Sequence, residues 1–455
     1  MSILEELRQI VGNRVSVAPS ERYCYSFDAS QVEGMPDYVV MPKSADEISR
    51  ILVLADKFEI PVTPRGAGTG LCGGAVPLKG GIIIDISGMD RILEIDIDDL
   101  QVTVEPGIVP DRLNEALKPY GFFFPPDPGS SAMCTIGGLI SNNGSGMRCV
   151  KYGTTRNYVL DLEVALADGS IINTGSKMLK SSAGYDLTRL FVGAEGTLGL
   201  ITKVKLKIVP IPKCRVLVLA SFESAERAGK AVIKTISSGI VPSACEILDH
   251  TTIEVLRRYD PNLVLPEGDV ILFEVDGSKA SAEESANHIV NTCSSLSSDI
   301  RIASDQNEMD DIWAARRLVG AAISRMDTTK IRVYVGEDTG VPIKQIPSFI
   351  KRVQEISEEL EIPAMKYGHI GDGNLHVALF IDVTDKSQWA RLEQAADKIH
   401  RAALEMGGTV SCEHGIGLAK GQYMRDQCGP ALDVMRAIKK ALDPKGILNP
   451  GKLGL

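Results

Sequence analysis

Three of the six histidines of this 455-residue chain lie in two glycine-rich stretches, Gly368-His369-Ile370-Gly371-Asp372-Gly373-Asn374-Leu375-His376 and Cys412-Glu413-His414-Gly415-Ile416-Gly417. Two histidines and one glutamate can bind a divalent metal and still leave a coordination position open for substrate. His369, His376 and Glu413 are therefore candidate metal ligands. His414 is then left to move a proton, since a neutral imidazole accepts one near pH 7. Glycine lets the backbone approach a ligand closely. Six residues lie between His369 and His376, which is no helical metal spacing, so a turn through Gly371-Asp372-Gly373 has to bring the imidazoles together. The spacing fits equally two ordinary strand-end histidines beside a turn. Glu413 and His414 could be a surface pair, although a setting between Ser411 and Gly415-Ile416-Gly417 is unusual for a solvated face.

The elements that must position these groups are readable from periodicity. Residues 364–367 and 375–381 read as strands on either side of the histidine turn, with helices over 343–360 and 389–406. Residues 308–326 read as one long helix carrying Trp313, Arg316 and Arg317. Upstream, strand patterns at 215–221, 244–248, 269–275 and 300–303 alternate with helical patterns at 224–237 and 282–296. Two consecutive βαβ units of this length suggest a ferredoxin-like α+β sandwich. Pro210 and Pro212 mark a linker before it.

The N-terminal half alternates short strands with glycine loops. A helical pattern at 45–58 precedes an extended segment at 60–64, and apolar runs at 81–86 and 101–105 are strand-like. Residues 110–120 read as a helix with Pro and Asp in its first turn. Residues 160–167 alternate and end in Asp168-Gly169, a hairpin signal. The loop Arg65-Gly66-Ala67-Gly68-Thr69-Gly70 can cradle a pyrophosphate with backbone N–H groups. Its GxGxG spacing is neither a Rossmann fingerprint nor a Walker A loop, and a turn without ligand explains it about as well. Three more stretches supply glycine, hydroxyl and amide groups: Pro126-Asp127-Pro128-Gly129-Ser130, Thr135-Ile136-Gly137-Gly138, and Gly193-Ala194-Glu195-Gly196-Thr197-Leu198-Gly199.

In that order the four motifs resemble the FAD-binding domain shared by vanillyl-alcohol oxidase and p-cresol methylhydroxylase, over residues 34 to 212. The resemblance implies that Arg65, Gly66, Ala67, Gly68, Thr69 and Gly70 hold the diphosphate and flavin together with Gly129, Ser130, Thr135, Gly137, Gly138, Ser141 and Asn142. It places Gly196, Gly199 and Ile201 near the adenine side, and adds Pro128, Gly146, Glu195 and Asn449 as further cofactor-binding candidates. Some relatives attach FAD through a histidine in the first loop. None is present here, so the expected FAD is dissociable.

With GHxGDGNLH and EHGxG added, nearly the whole chain resembles the FAD-linked 2-hydroxy acid dehydrogenases. These include D-lactate dehydrogenase, the flavin subunit of glycolate oxidase and D-2-hydroxyglutarate dehydrogenase. The resemblance implies a p-cresol methylhydroxylase-type FAD-binding domain, a ferredoxin-like α+β substrate (cap) domain, and a C-terminal segment returning to the FAD domain. The implied boundaries are 1–33 for a helical lead-in, 34–212 for the FAD domain, 213–410 for the cap and 411–455 for a segment completing the active site. It also implies His369, His376 and Glu413 as ligands of a divalent metal, usually zinc, His414 as the base, and Arg316 as the grip on the substrate carboxylate. The reaction would be metal-assisted deprotonation of a 2-hydroxy acid and hydride transfer to flavin N5. Arg317 is expected to be an ordinary surface charge.

The 2-hydroxyglutarate branch carries extra polar groups for a second carboxylate. Gly320, Gly336 and Ala378 occupy the corresponding positions here. A buried carboxylate without such donors is costly, so the expectation is a small D-2-hydroxy acid, D-lactate or glycolate. A D-2-hydroxyglutarate dehydrogenase is the alternative. Two other readings are an ether-lipid synthase, which needs a phosphate site and a membrane-facing entrance, and a flavin subunit supporting a separate catalytic chain. Retention of every site residue speaks against the last.

Bulk properties narrow the setting. Hydrophobic content of 44% and charged content of 24% are those of a globular protein, and a net charge of -10 argues against nucleic-acid binding. Nine cysteines without a CxxC pair favour reduced thiols in a cytoplasmic protein over disulfides or an iron–sulfur cluster. Electrons must then leave to an acceptor other than NAD, such as an iron–sulfur or other electron-transfer partner. Peripheral membrane attachment through that partner, and a homodimer, remain open.

Overall fold

The apolar run Ile82-Ile83-Ile84 is buried along its whole length because its strand, Ile82–Asp85, lies between two parallel neighbours, Tyr38–Val40 and Val62–Arg65. Parallel strands covered on both faces read as continuous hydrophobic runs. A computed structural model describes residues 2–455, apart from Gln31, Val264, Ser304, 326–328, 334–336 and Val383. The chain forms two units. The first comprises Met1–Ser145, Thr154–Ile211 and Glu413–Leu455; the second comprises Gly146–Gly153 and Pro212–Cys412.

In the first unit the parallel strands, with Val15–Ser16 at one edge, form a four-stranded sheet. The helix Ala45–Phe58 covers it with Ile48, Ile51, Leu52, Leu54 and Ala55, a 3.6-residue stripe. Ser44 caps its N-terminus by accepting from the Glu47 N–H at 3.3 Å. The strand Val62–Arg65 then delivers the chain directly into Gly66. A five-stranded antiparallel sheet runs in the order Ile92–Asp96, Gln101–Val104, Leu200–Lys207, Val159–Ala165, Ile171–Asn173. Its last pair is the hairpin turning at Asp168-Gly169. Residues after Thr135 form a short helix, Ile136–Asn142, which Gly137-Gly138 hides from a propensity reading; the Thr135 hydroxyl caps it by accepting from the Gly138 N–H at 3.2 Å.

The second unit is built on one long antiparallel sheet in the order Asp299–Ile302, Cys214–Phe222, Asp269–Gly277, Ala244–Leu248, Ala364–Gly368, Asn374–Asp382, Lys330–Val333. Its first four strands have the split-βαβ order of a ferredoxin-like sandwich, and the other strands extend it. Alternation sorts the side chains. Val377, Leu379 and Ile381 face a core made with Ala225–Ser237, Lys279–Cys293, Ile346–Leu360 and Lys386–Glu405. Ala378 and Phe380 face the opposite core, with His250–Tyr259 and Gln306–Arg317. By the same period of two, His376 falls on the face shared with Tyr367 and Glu246.

One expectation needs correction here. The single helix expected over 308–326 is two, Gln306–Arg317 and Val319–Arg325, interrupted at Leu318; the poor helix formers Val319 and Gly320 follow the break. Residue 326 lies outside the described residues, as does Gly336. The strand Lys330–Val333 and the helix His250–Tyr259 were not legible as elements. Among the described residues, no helix is long and apolar enough to cross a membrane.

Candidate active site

The first unit offers backbone. Among the described residues, the N–H groups of residues 66–70 donate to no other protein group. Consecutive N–H groups free in a loop form an anion-binding concavity. Gly68 has φ +69°, and a Cβ there would stand 2.3 Å from Arg65 Nη2. Gly70 and Gly129 face open space: the nearest atom to a Cβ at Gly70 is Asp28 Oδ2 at 3.9 Å, and at Gly129 none lies within 4 Å. A phosphate-bearing ligand fits a loop whose N–H groups are not used within the protein and whose Gly70 leaves space beside it. Arg65 is buried with its Nη1 donating to the Phe27 carbonyl at 2.8 Å, and burial lowers its pKa. The Pro128 and Ser130 carbonyls close the next turn by accepting from Ser131 and Cys134 at 2.9 and 2.8 Å.

Several of the expected cofactor residues also bond or pack against other parts of the protein. Ser141 Oγ donates to the Gly137 carbonyl at 2.8 Å. Gly196 lies against Pro64 and Gly199 against Val164, and Ile201 is buried in the strand Leu200–Lys207. Asn449 Nδ2 donates to the carbonyls of Gly74 at 2.9 Å and Glu195 at 2.7 Å, while its buried Oδ1 has no partner among the described residues. Gly146 opens the excursion 146–153 that belongs to the second unit.

The segment beginning at Glu413 is held by the same loops. Ser145 Oγ donates to Glu413 Oε2 at 3.1 Å, and Asn142 Nδ2 donates to the His414 carbonyl at 3.1 Å. Glu195 accepts from the Ile416 and Gly417 N–H groups at 2.6 and 2.8 Å. The Leu418 N–H donates to the Cys72 carbonyl at 2.7 Å. A Cβ at Gly417 would meet that carbonyl at 2.0 Å, so only glycine permits this approach. His414 Nε2 stands 3.7 Å from Glu413 Oε1. Burial pushes the Glu195 carboxyl up to about 7, against the opposing pull of the two N–H donors and of Lys452 and Lys420.

The second unit offers buried charge instead. Glu246, with no exposed surface, accepts from Arg316 Nε at 2.8 Å and pairs with His369 Nδ1 at 2.5 Å. Arg316 Nη2 lies 2.7 Å from the same carboxylate. Burial alone would raise the Glu246 pKa, but His369 and Arg316 outweigh it and hold the group below its ordinary value. An ionised carboxylate only accepts, so His369 Nδ1 carries the hydrogen, and in the neutral ring Nε2 is the nitrogen with the lone pair. The Arg316 guanidinium stands 5.1 Å from the Tyr367 ring centre, and the Tyr367 and His376 rings are 5.3 Å apart. The His369 and His376 rings meet edge to face at 5.2 Å. Arg317, the expected bland neighbour, is exposed.

Asp338 is a residue that motif reading missed. It is buried, has φ +67°, and offers a ligand oxygen within 4.8 Å of a ring nitrogen of His376. Its carboxylate also accepts from Ser411 Oγ at 2.6 Å, the Cys412 N–H at 3.1 Å and Asn374 Nδ2 at 3.1 Å. Glu246 was missed as well. Only its isolation as an acid inside an apolar strand, Ala244-Cys245-Glu246-Ile247-Leu248, could have flagged it. Imidazole nitrogens and carboxylate oxygens are donors that suit a divalent ion such as zinc, and in the second unit His376 and Asp338 offer one donor of each kind.

Residues 211–453 match the family model described as FAD linked oxidases, C-terminal domain, and residues 36–175 match the FAD binding domain. The glycolate oxidase subunit GlcD of Bacillus subtilis is 40% identical over 457 residues, covering 99% of this chain and 96% of that protein. A D-lactate dehydrogenase of Archaeoglobus fulgidus is 35% identical over 460 residues, covering 100% and 99%. The solved structure of p-cresol methylhydroxylase with substrate bound superposes with a TM-score of 0.83 at 16% identity, covering 99% of this chain and 96% of the other; at that identity the likeness speaks for the fold alone.

Proposed function

The chain belongs to the FAD-linked oxidases, and from that premise we propose that it is an FAD-dependent dehydrogenase converting a small D-2-hydroxy acid, D-lactate or glycolate, to the 2-keto acid. The observation that supports this reading most is the cluster of Arg316, Tyr367, His369 and His376 around Glu246. It sets a buried arginine, with its planar fork for a carboxylate, beside two imidazoles suited to a metal. FAD, when bound, supplies the acceptor for the hydrogen and electron pair leaving the substrate Cα, and a divalent metal lowers the pKa of the hydroxyl it binds.

His369, His376 and Glu413 are the proposed ligands of that metal, with zinc as the expected ion. Arg316 holds the substrate carboxylate, and the His414 imidazole takes the hydroxyl proton. Residues 65–70 and the loops after Pro128 hold the FAD diphosphate through backbone N–H groups, without a covalent link. The small substrate is supported by Ala378, which lies two residues beyond His376 on the same strand face and brings no donor. The buried Arg332 nearby is bonded to Glu337 and the Tyr367 hydroxyl. The acceptor of the electrons is proposed to be a partner carrier other than NAD, in a cytoplasmic setting.

The test is anaerobic bleaching of the flavin's visible absorbance by a panel of D- and L-2-hydroxy acids, with and without chelator. D-lactate or glycolate is expected to bleach it, and chelator to slow the reaction. Failure of every 2-hydroxy acid would remove the proposal. Metal analysis of His376→Ala checks the ligand set, with unchanged metal content counting against it.

A further inference from the structure

Glu246 is not among the groups that would touch substrate, cofactor or metal, yet it is bonded to two that would. It sits mid-strand in Ala244–Leu248, on the face it shares with His376 and Tyr367, and is fully buried. Its two oxygens have different duties: Oε1 faces His369 Nδ1 at 2.5 Å, and Oε2 faces Arg316 Nε at 2.8 Å and Nη2 at 2.7 Å. We propose that Glu246 is the positioning residue of this site, setting the tautomer and ring angle of His369 with one oxygen and the plane of the Arg316 fork with the other. The proposal rests on the reading of His369 as a metal ligand and Arg316 as the carboxylate grip.

A carboxylate that accepts from Nδ1 leaves Nε2 as the only lone pair His369 can offer, and makes it a stronger donor to a cation. For Arg316, Nε and Nη2 are both committed to Oε2. Nη1 makes no bond to another group among the described residues, and the guanidinium cannot rotate about its last torsion without breaking a charge-assisted hydrogen bond and an ion-pair contact. A single acid thus orients a metal ligand and a substrate anchor together, so its loss should disturb metal binding and substrate binding at once. A merely structural acid would not couple those two readouts.

The experiment uses the full-length, FAD-loaded protein and titrates Mn²⁺ or Zn²⁺ into metal-stripped samples of the parent, Glu246→Gln and Glu246→Asp. Loss of an outer partner of this kind typically weakens metal affinity by roughly 10–100-fold. Glu246→Gln is expected to fall in that range and to raise KM for the 2-hydroxy acid, with its FAD content and thermal midpoint recorded alongside. Glu246→Asp, which keeps the charge, should retain more of the metal affinity than Glu246→Gln. Parent-like metal affinity and KM in a folded Glu246→Gln protein would overturn the proposal. A Glu246→Gln protein that fails to fold leaves Glu246→Asp as the test, where unchanged affinity and KM overturn it too. If the parent itself takes up neither ion, the metal reading of His369 has failed, and the tautomer half of the proposal falls with it; the KM comparison then judges the Arg316 half separately.

Discussion

The loop at residues 66–70 and the cluster around Glu246 prepare for polar ligands by opposite means. The loop presents consecutive N–H groups on glycine-rich backbone, with nothing ionised aimed outward. The cluster buries an acid, an arginine and two histidines, with nearly every polar contact made between side chains. Backbone donors cannot be mutated away, and they suit a cofactor whose chemistry is its own. Side-chain charges can be tuned in pKa and orientation, and they suit the part of the reaction that the protein has to perform. The contrast predicts different failure modes. Damage to the loop should lose cofactor, and damage to the charged residues should lose chemistry or specificity while cofactor stays.

The hardest test of that division is His414→Ala. The His414 carbonyl is held by Asn142 and its neighbours by Glu195, so the backbone should survive loss of the imidazole. FAD is expected to remain bound while flavin reduction in stopped flow slows at least about a hundredfold, within the usual range for a lost general base. Normal reduction would reject the base role, and loss of FAD would show that the two jobs are not separable.

The converse test is Gly68→Ala. The added Cβ would meet Arg65 at 2.3 Å in a residue at φ +69°. Left-handed backbone costs a non-glycine residue roughly 1–2 kcal/mol, which corresponds to about a tenfold weaker FAD complex if the strain is relieved by moving the loop. Once saturated with FAD, the variant should reduce its flavin at the parent rate. A slowed reduction at full FAD occupancy would break the comparison.

How much of this was legible beforehand follows the same divide. The strands beside the histidine turn, the helix Ala45–Phe58 and the split-βαβ order came through because their periods are clean. The glycine loops were visible as loops, yet the roles of Glu195 and Asn449 as braces were not. A side chain that bonds a backbone carbonyl or N–H hundreds of residues away leaves no local pattern. Glu246 and Asp338 escaped for the same reason, since each becomes meaningful only when the sheet brings distant strands into register. Arg332 was hidden in a strand that carries too few residues to show alternation.

Arg332 also sharpens the comparison within the charged region. Its Nε donates to Glu337 Oε1 at 2.8 Å, and a Cβ at Gly320 would lie 3.5 Å from its Nη1. Glu337→Gln keeps the shape but removes the charge that neutralises this arginine. The expected result is a several-fold gain in kcat/KM for a dicarboxylic 2-hydroxy acid relative to D-lactate, because a second carboxylate would then meet a buried cation with one acidic partner fewer. Equal change for both substrates would mean that Arg332 lies outside the specificity determinants.

The gentlest test concerns one proton in the backbone-built unit. Glu195 there is an ionisable side chain doing a brace's work, and burial raises its carboxyl to about 7 from an ordinary value of 4.5. A carboxyl whose folded pKa lies above its unfolded one keeps its proton longer in the folded state. Its contribution to stability is therefore complete below the unfolded pKa, declines as pH rises, and is gone once pH passes the folded pKa. Glutamine cannot titrate, so the difference in urea midpoint between the parent and Glu195→Gln isolates this group from every other acid. That difference should shift against the parent as pH rises from about 4.5 to about 7 and level off above it. A difference that stays flat across the window would mean that the Ile416 and Gly417 N–H groups stabilise the carboxylate enough to cancel its burial, leaving Glu195 an ordinary anion held by backbone, as the anion in the neighbouring loop is expected to be.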